Sequence, residues 1–286
     1  MELGKIGVWS GQLRAVGIEA IPEVATSLER LGYRALWIPG GVGGDVLERC
    51  EAALAATSSL VVAPGILNIW RHEAPDVATT TARLDEEYDG RFLLGLGVSH
   101  ERLIGDSYVT PLAKMGDYLD QLDAAGQKPE VRVLAALRRR MLSLARDRAA
   151  GAHPYFVPPE HSEAARVILG PGPLLAPEQA VLLETEPAQA RRLARGFCEH
   201  YLELPNYANN LRALGYTSDD LAPPGSDRLV DAIVAWGDEA AIAARVRAHL
   251  DAGADHVCIQ VVGSDYTTLP TDTWHRLAPA LMETSG

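Results

Sequence analysis

Histidine and acidic side chains stand at the ends of several short apolar runs that are typical of β-strands. His72, His100, Glu101 and His153 all occupy such positions. Imidazole titrates near neutral pH and a carboxylate can accept or deliver a proton, so these residues are candidates for general acid–base catalysis. The alternative for each histidine is a structural hydrogen-bonding role. His200 lies within a predicted helix and is therefore not counted as a candidate.

Other motifs with catalytic or metal-binding chemistry are missing from the sequence. No His/Glu cluster has zinc-ligand spacing, and no G-x-S-x-G nucleophile elbow occurs. Cys50, Cys198 and Cys258 are far apart along the chain, so they indicate neither a disulfide framework nor a zinc motif. We interpret them as small buried hydrophobic residues.

Three turns after predicted strands are rich in glycine or proline. The turns at 39–45 and 95–100 contain glycines that could let a backbone approach a pyrophosphate. Neither has the full G-x-G-x-x-G form, so a dinucleotide-binding Rossmann fold is the weaker alternative. The turn at 63–70 places Pro64-Gly65 before further apolar residues. It indicates either a plain turn or a bulged strand end whose backbone faces a ligand.

A repeated unit of helix, glycine and short apolar run must position these residues. Gly32, Gly90, Gly151 and Gly253 each follow a predicted helix. Glycine ends a helix in the left-handed conformation without steric cost, and a continuous apolar run is typical of a strand buried on both faces. Repeated units of this kind predict a parallel sheet. The predicted strands are residues 6–10, 35–39, 60–64, 92–97, 132–136, 153–157, part of 174–183, and 256–262.

Eight such strands predict a (β/α)8 TIM barrel, which a chain of 286 residues can form as a single domain over 1–286. The segment at 184–255, between the seventh and eighth strands, is too long for one helix. It predicts extra helices over the top of the barrel, including 188–202 and 227–236. In such a barrel the chemistry lies in the loops that follow the strands.

The net charge of −12 argues against a nucleic-acid partner, because such proteins usually carry a basic surface. The N-terminus enters a predicted strand at once, which predicts no signal peptide. No apolar run approaches the roughly 20 residues that span a bilayer. We therefore expect a cytoplasmic protein without a membrane partner that acts on a small molecule.

Four segments, in this order along the chain, resemble the luciferase-like flavin and deazaflavin oxidoreductases. They are residues 35–39, 62–70, 90–100 and 151–156, and the run Gly-Arg-Phe-x-Leu-Gly-Leu-Gly at 90–97 is the most specific. The resemblance covers residues 5 to about 281 and is greatest to the actinobacterial F420-dependent branch. It implies a TIM-barrel enzyme that transfers a hydride between the deazaflavin C5 and an unidentified small substrate. We also expect a homodimer.

The resemblance places a tricyclic deazaflavin across the mouth of the barrel. A bulge with a cis peptide bond between Gly65 and Ile66 would back the ring, and Asn68 would offer its amide to the polar edge. His100 becomes the first acid–base candidate because the strand before it matches best. The further cofactor-binding residues that we expect are Trp37, Gly40, Val98, Ser99 and His153.

Relatives bind the phosphate of the cofactor tail at a glycine-containing turn after the fifth strand. Here that turn begins Leu137, Arg138, Arg139; its glycine is missing, and a run of three arginines could replace it by charge. A second departure is the exit of the second strand, where relatives have acidic or histidine side chains and this chain has Gly40 and Gly41. The region 184–221 would cover the substrate, with a pocket lined by Tyr201, Asn206 and Tyr207.

These departures leave three functions open. The first is an oxidoreductase that depends on coenzyme F420. The second is an FMN-dependent monooxygenase of the same fold, which activity with reduced flavin and oxygen would distinguish. The third is a barrel that binds a ligand without turnover, for which the missing glycine beside Arg138 and the missing acid at Gly40 are the arguments.

Overall fold

Short strands alternate with helices in the computed structural model, which describes residues 3–40, 45–263, 265 and 267–283. The strands are β1 Ile6–Trp9, β2 Ala35–Ile38, β3 Val61–Pro64, β4 Leu67–Asn68, β5 Leu94–Gly97, β6 Arg132–Leu134, β7 Gly151–Ala152, β8 Leu174–Leu175, β9 Glu178–Leu183, β10 Val234–Gly237 and β11 Val257–Val261. The helices are α1 Ile21–Arg30, α2 Val46–Ala56, α3 Ala74–Glu87, α4 Glu101–Ile104, α5 Pro111–Ala124, α6 Arg139–Arg148, α7 Pro159–Leu169, α8 Pro187–Leu202, α9 Pro205–Ala213, α10 Ser218–Leu221, α11 Asp227–Ile233, α12 Glu239–Asp251 and α13 Thr271–Glu283.

The strands form two sheets with parallel pairing throughout. One has the order β10-β9-β11-β1-β2-β3 and the other β4-β5-β6-β7-β8. Backbone hydrogen bonds join the two sheets on both sides. The Leu93 N–H donates to the Val62 carbonyl at 3.0 Å, and the Asp255 N–H donates to the Leu175 carbonyl at 2.9 Å. The strands therefore close into the predicted TIM barrel.

Two glycines of the repeated unit follow the ends of helices in the left-handed region as predicted, whereas Gly151 is the first residue of β7 and does not end α6. Gly32, after α1, has a φ of 93°, and Gly253, after α12, has a φ of 97°. A residue with a Cβ is strained in this left-handed region. The apolar face of α1 is buried as the spacing predicts, through Ile21, Val24 and Leu28. This face holds the helix against the outside of the sheet.

The sixth strand differs from its prediction. It is β7, Gly151–Ala152, and residues 153–157 are not a strand. Pro154 has no N–H to give to a ladder, and Phe156 has a φ of 60°, outside the range of strand residues. The apolar run was misleading because its side chains are buried at the barrel mouth rather than within the sheet.

The insertion between the seventh and eighth barrel strands also differs in one part. The predicted helix at 188–202 is α8, but the helix predicted at 227–236 ends at Ile233. Val234–Gly237 instead form β10, which runs parallel to Ala180–Leu183 of β9. Helices α8, α9, α10 and α11 share an apolar cluster of their own with Phe156 of the barrel. That cluster fixes the insertion over the barrel.

All three cysteines are buried without a disulfide, as predicted. Within the described residues, no group of three or more His, Cys, Asp or Glu side chains could hold a metal ion. In the same part of the chain, no helix has both the length and the hydropathy to cross a membrane.

Candidate active site

Two adjoining cavities open at the carboxyl ends of the barrel strands. The first, of about 390 Å³, lies between strand ends on one side and α8 and the start of α9 on the other. The second, of about 690 Å³, lies between the start of α5 and the start of α6. A ligand can extend from one into the other, because both are lined by Val98, Ser99, Ala135, Leu137 and Asn206.

Most of the predicted site residues line these cavities. The first is lined by Gly65, Ile66, Asn68, Val98, Ser99, His100, Leu137 and His153. The second is lined by Val98, Ser99, Leu137, Arg138 and Arg139. The residues that line neither are Trp37, Gly40, His72 and Glu101.

His72 and Glu101 lie away from the ligand space. His72 is half-buried in the loop before α3, where burial lowers its pKa. Glu101 begins α4 with an exposed side chain, while the next two residues, Arg102 and Leu103, line the first cavity. Successive helical residues point about 100° apart, so the turn that brings these two to the cavity directs Glu101 elsewhere. Of the four predicted acid–base candidates, His100 and His153 line the first cavity, whereas His72 and Glu101 do not.

Trp37 and His153 form a stacked pair at the floor of the first cavity. Trp37 is fully buried and donates from Nε1 to Nε2 of His256 at 3.2 Å, so it supports the floor from beneath. Nδ1 of His153 lies 2.7 Å from the Ala176 carbonyl. A carbonyl only accepts, so Nδ1 carries the proton and Nε2 is an acceptor. Burial lowers the pKa of His153 to about 4, which keeps the ring neutral.

The bulge after β3 packs against glycines that leave no room for side chains. The Gly65–Ile66 peptide bond is cis, as the resemblance implies, and Nε1 of Trp9 donates to the Gly65 carbonyl at 2.9 Å. A Cβ on Gly97 would lie 2.5 Å from Cδ1 of Ile66, and one on Gly40 would collide with the Ile66 carbonyl oxygen. Gly40 therefore makes room for the bulge. The rest of its turn, residues 41–44, lies outside the described residues.

Asn68 presents an unused donor beside the bulge. Its side chain is 2% exposed, and its Oδ1 accepts the Trp70 N–H at 3.0 Å. Its Nδ2 has no hydrogen-bond partner among the described residues. An unsatisfied buried donor costs about 1–3 kcal/mol, so this amide fits a ligand that offers an oxygen acceptor.

His100 lies where the barrel meets the insertion. Its ring centroid is 5.4 Å from that of Tyr207. Burial lowers the pKa of His100, and a hydrogen bond with the Asn206 side chain opposes that shift only partly. The imidazole is therefore neutral at physiological pH and can exchange a proton with a neighbouring group.

Three consecutive arginines line the second cavity at the start of α6. Arg138 is the N-cap, and Arg139 and Arg140 are the first two helical residues. None of the three has an ion-pair partner in the described part of the chain, although the net charge is −12. Their charge and the N–H groups of the helix start both favour an anion here.

Tyrosines and a tryptophan form the wall of the first cavity beneath the insertion. The Tyr155 hydroxyl donates to Oε1 of Gln260 at 2.8 Å and lies 2.7 Å from the Tyr201 hydroxyl. The Trp9 ring is 5.2 Å from that of Tyr155. The three residues that we expected in the substrate pocket all line this cavity: Tyr201, Asn206 and Tyr207.

Several lining residues were missed by the sequence reasoning. Trp9 and Tyr155 could have been found, since one ends a strand and the other follows one closely. His200 was set aside because it lies in a helix, yet that helix folds back over the barrel and places it at the cavity. No local signal marks such a residue, because its place depends on the packing of the whole insertion. Also missed in this cavity were Arg14, Arg102, Leu103, Ala135, Ala136 and Leu204.

The sequence profile of the luciferase-like monooxygenase family matches residues 3–256. The chain belongs to this family. No curated protein sequence is significantly similar to this luciferase-like chain.

Solved structures similar to this luciferase-like protein share its fold over nearly the whole length. An F420-dependent secondary alcohol dehydrogenase in complex with an F420–acetone adduct has a TM-score of 0.74 and 15% identity, over 97% of this chain and 99% of that one. The F420-dependent tetrahydromethanopterin reductase of Methanopyrus kandleri has a TM-score of 0.72 and 13% identity, over 100% of both chains. The FMN-bound oxygenating constituent of 3,6-diketocamphane monooxygenase from Pseudomonas putida has a TM-score of 0.71 and 15% identity, over 99% and 98%. The fold is therefore shared by proteins that use either cofactor.

Proposed function

We propose that this luciferase-like protein is an F420-dependent oxidoreductase that transfers a hydride between the deazaflavin ring and a small organic substrate. The observation that carries the proposal is a first cavity that opens into a second one rimmed by three arginines without ion-pair partners among the described residues. Coenzyme F420 has a planar ring and a long anionic tail, so it would use both cavities. When bound, it accepts or supplies a hydride.

The first cavity suits the polar edge of the ring. Asn68 would donate from Nδ2 to a ring carbonyl oxygen, which satisfies an amide that otherwise lacks a partner in the described structure. Nε2 of His153 is an acceptor at the cavity floor and suits a ring N–H. Ile66, on the bulge, presents an apolar surface to one face of the ring.

The second cavity suits the tail of the cofactor. Arg138, Arg139 and Arg140 would bind its phosphate. Their positive charge would take the place of the glycine-containing turn that binds the phosphate in relatives. Leu137 and Asn206 line both cavities and would flank the link between ring and phosphate.

The insertion would close the substrate side of the site. Trp9, Tyr155 and Leu204 line the first cavity with largely apolar surface, which would exclude water from the reacting atoms. His100, with its neutral imidazole, is the first-ranked of the predicted acid–base candidates that line this space. We propose that it exchanges a proton with the substrate or with a group that contacts the substrate.

Titration of the purified protein with F420 and, separately, with FMN tests the proposal. We expect F420 to bind with a dissociation constant in the micromolar range, with a change in its fluorescence, and FMN to bind more weakly. If neither cofactor binds at micromolar concentrations, the proposed function is wrong and only the family and the fold remain.

An FMN-dependent monooxygenase is the second candidate function. It is favoured by the similarity to the FMN-bound 3,6-diketocamphane monooxygenase constituent, whose fold matches almost as well as those of the F420 enzymes. Oxygen consumption with reduced FMN separates the two candidates, because the F420-dependent reaction has no oxygen requirement.

A further inference from the structure

Three tyrosines line the first cavity, and two of their hydroxyl groups are already engaged. Tyr155 donates to Oε1 of Gln260, and its oxygen lies within hydrogen-bond distance of the Tyr201 hydroxyl. Tyr207 differs: no described residue forms a hydrogen bond with its hydroxyl, although its side chain is only 7% exposed. Tyr207 lines the first cavity, so its hydroxyl can donate to a ligand bound there.

The ring of Tyr207 is held firmly by aromatic neighbours. Its centroid lies 5.4 Å from those of His100 and Tyr201, 5.5 Å from Phe156 and 6.1 Å from Tyr155. These contacts come from the barrel and from α8, so they fix the position of the hydroxyl. A donor that is already in place loses little entropy when it meets a reacting oxygen.

Burial, with smaller contributions from Tyr201 and Glu178, raises the pKa of Tyr207 well above its ordinary value. The hydroxyl is therefore a proton donor at physiological pH and not a phenolate base. It suits an oxygen that is neutral in the substrate and gains negative charge during the reaction.

The rest of the cavity indicates which substrate carries that oxygen. The two cationic side chains that line it, Arg14 and Arg102, are exposed, and Arg102 pairs with Glu203 at 2.8 Å. The buried wall is formed mainly by Trp9, aromatic rings and Leu204. This lining suits an uncharged and largely apolar molecule.

We propose that Tyr207 is a catalytic residue whose hydroxyl donates to the carbonyl oxygen of an apolar ketone or aldehyde. This inference rests on the proposed function. During reduction, the bound deazaflavin would supply the hydride that forms the new C–H bond at the carbonyl carbon, and the C=O π pair would move to the oxygen. That oxygen would take the Tyr207 proton to give an alcohol, and the oxidised deazaflavin would release its ring N–H proton to solvent, which balances the proton that Tyr207 regains. Tyr207 regains a proton from solvent water past the exposed His200 at the cavity mouth.

Tyr207→Phe tests the assignment, with Tyr216→Phe as the control because Tyr216 lies in the same insertion but outside the cavity. The probes are cyclohexanone and acetophenone, with reduced F420. Loss of one oxyanion donor should lower kcat about 100-fold or more, with a much smaller change in KM and an unchanged F420 dissociation constant. The control should keep the wild-type kcat. Because no described residue uses the hydroxyl, Tyr207→Phe should melt no lower than wild type.

A second readout does not depend on turnover. In the complex with oxidised F420, the infrared stretch of carbonyl-labelled acetophenone should lie at lower wavenumber in wild type than in Tyr207→Phe, because a hydrogen bond weakens the C=O bond. If F420 binds but neither ketone reacts, or if kcat and the stretch match in both proteins, the assignment is wrong and the proposed function stands. If F420 does not bind, the proposed function fails first. A clearly lower melting temperature would show a structural role for the hydroxyl.

Discussion

The imidazole of His153 lies flat against the indole of Trp37, with ring centroids 4.2 Å apart and an interplanar angle of 9°. The contact joins β2 to the residue that follows β7 across the barrel interior. His256 holds the other edge of the indole through its hydrogen bond with Nε1, and Nδ1 of His256 lies 2.8 Å from the Gly4 carbonyl. Residues on or next to the barrel strands thus build the cavity floor. Strands hold the side chains of a site more precisely than loops do.

Removal of the indole should destabilise the barrel strongly. Trp37→Ala leaves a large cavity and removes the hydrogen-bond partner of His256. We expect the free energy of unfolding, measured by urea denaturation, to fall by about 3–5 kcal/mol. Trp37→Phe should lose less, because it retains a stacking ring. Trp236→Ala, on the half-buried side of β10, should also lose less. Equal losses for Trp37→Ala and Trp236→Ala would contradict a structural role for the stacked pair.

Buried histidines should make the protein labile in mild acid. Burial lowers the pKa of His153, His161 and His256 to about 4 in the folded state. These depressed values mean that their stability contribution is complete above the ordinary pKa of about 6.5 and is lost as pH falls towards 4. Each histidine adds at most about 1.4 kcal/mol per pH unit to the slope of the free energy of unfolding against pH.

The slope is measured by urea denaturation at pH 7, 6 and 5. His153→Gln should make it shallower, while the same substitution at His275, on the exposed face of α13, should leave it unchanged. A His153→Gln protein with the wild-type slope would contradict the depressed pKa.

The contribution of Glu178 to stability should have the opposite pH dependence. Its carboxyl group is buried, its Oε2 accepts the Phe156 N–H at 3.2 Å, and burial raises its pKa from 4.5 to about 8. A raised folded-state pKa means that its contribution is complete below about 4.5 and is lost as pH rises through about 8. Glu178→Gln keeps the acceptor for Phe156 but cannot ionise.

The variant should therefore melt above wild type at pH 8, and the difference should shrink as pH falls towards 4.5. Glu130→Gln, on the surface, should show no such pH-dependent difference. A constant offset between Glu178→Gln and wild type across this range would contradict the raised pKa.

Local rules were enough to predict the barrel. Helix-ending glycines such as Gly32 and continuous apolar runs such as that of β2 depend on neighbouring residues alone, so their patterns are visible in the sequence. These rules failed where residues within one run favour different local structures. The run at 153–157 is apolar enough for a strand, but Pro154 and the left-handed Phe156 turn it out of the sheet. The run at 234–237 follows a helix pattern directly, and only pairing with β9 makes it a strand.

The candidate site was predictable on its barrel side and less so on the side of the insertion. Asn68, Val98 and His100 follow strands and line the cavity as predicted. Glu101 shows the limit of that rule, since one position along a helix is enough to direct a side chain away. His200 shows the converse, because its place at the cavity depends on how α8 packs over the barrel.

Asn68 should contribute to cofactor binding through its amide donor alone. Asn68→Asp keeps an oxygen for the Trp70 N–H but removes the Nδ2 donor. We expect the dissociation constant for F420 to rise about tenfold or more, because one hydrogen bond to the ring is lost. The melting temperature should also fall, because the new carboxylate is buried. Asn209→Asp, on the exposed face of α9, adds the same charge and should leave binding unchanged. Equal F420 affinity in the two variants would refute a contact between Asn68 and the ring.

The arginines of the second cavity should contribute through charge. Arg138→Ala combined with Arg139→Ala removes two of the three cations at the start of α6. We expect F420 affinity to fall at least about tenfold and to depend less on salt, because fewer charged groups meet the anionic tail. The matched control, Arg192→Ala with Arg247→Ala, removes the same charge from exposed positions on α8 and α12. If both double variants bind F420 alike at low and high salt, the arginines act only through the overall charge of the protein and the tail lies elsewhere.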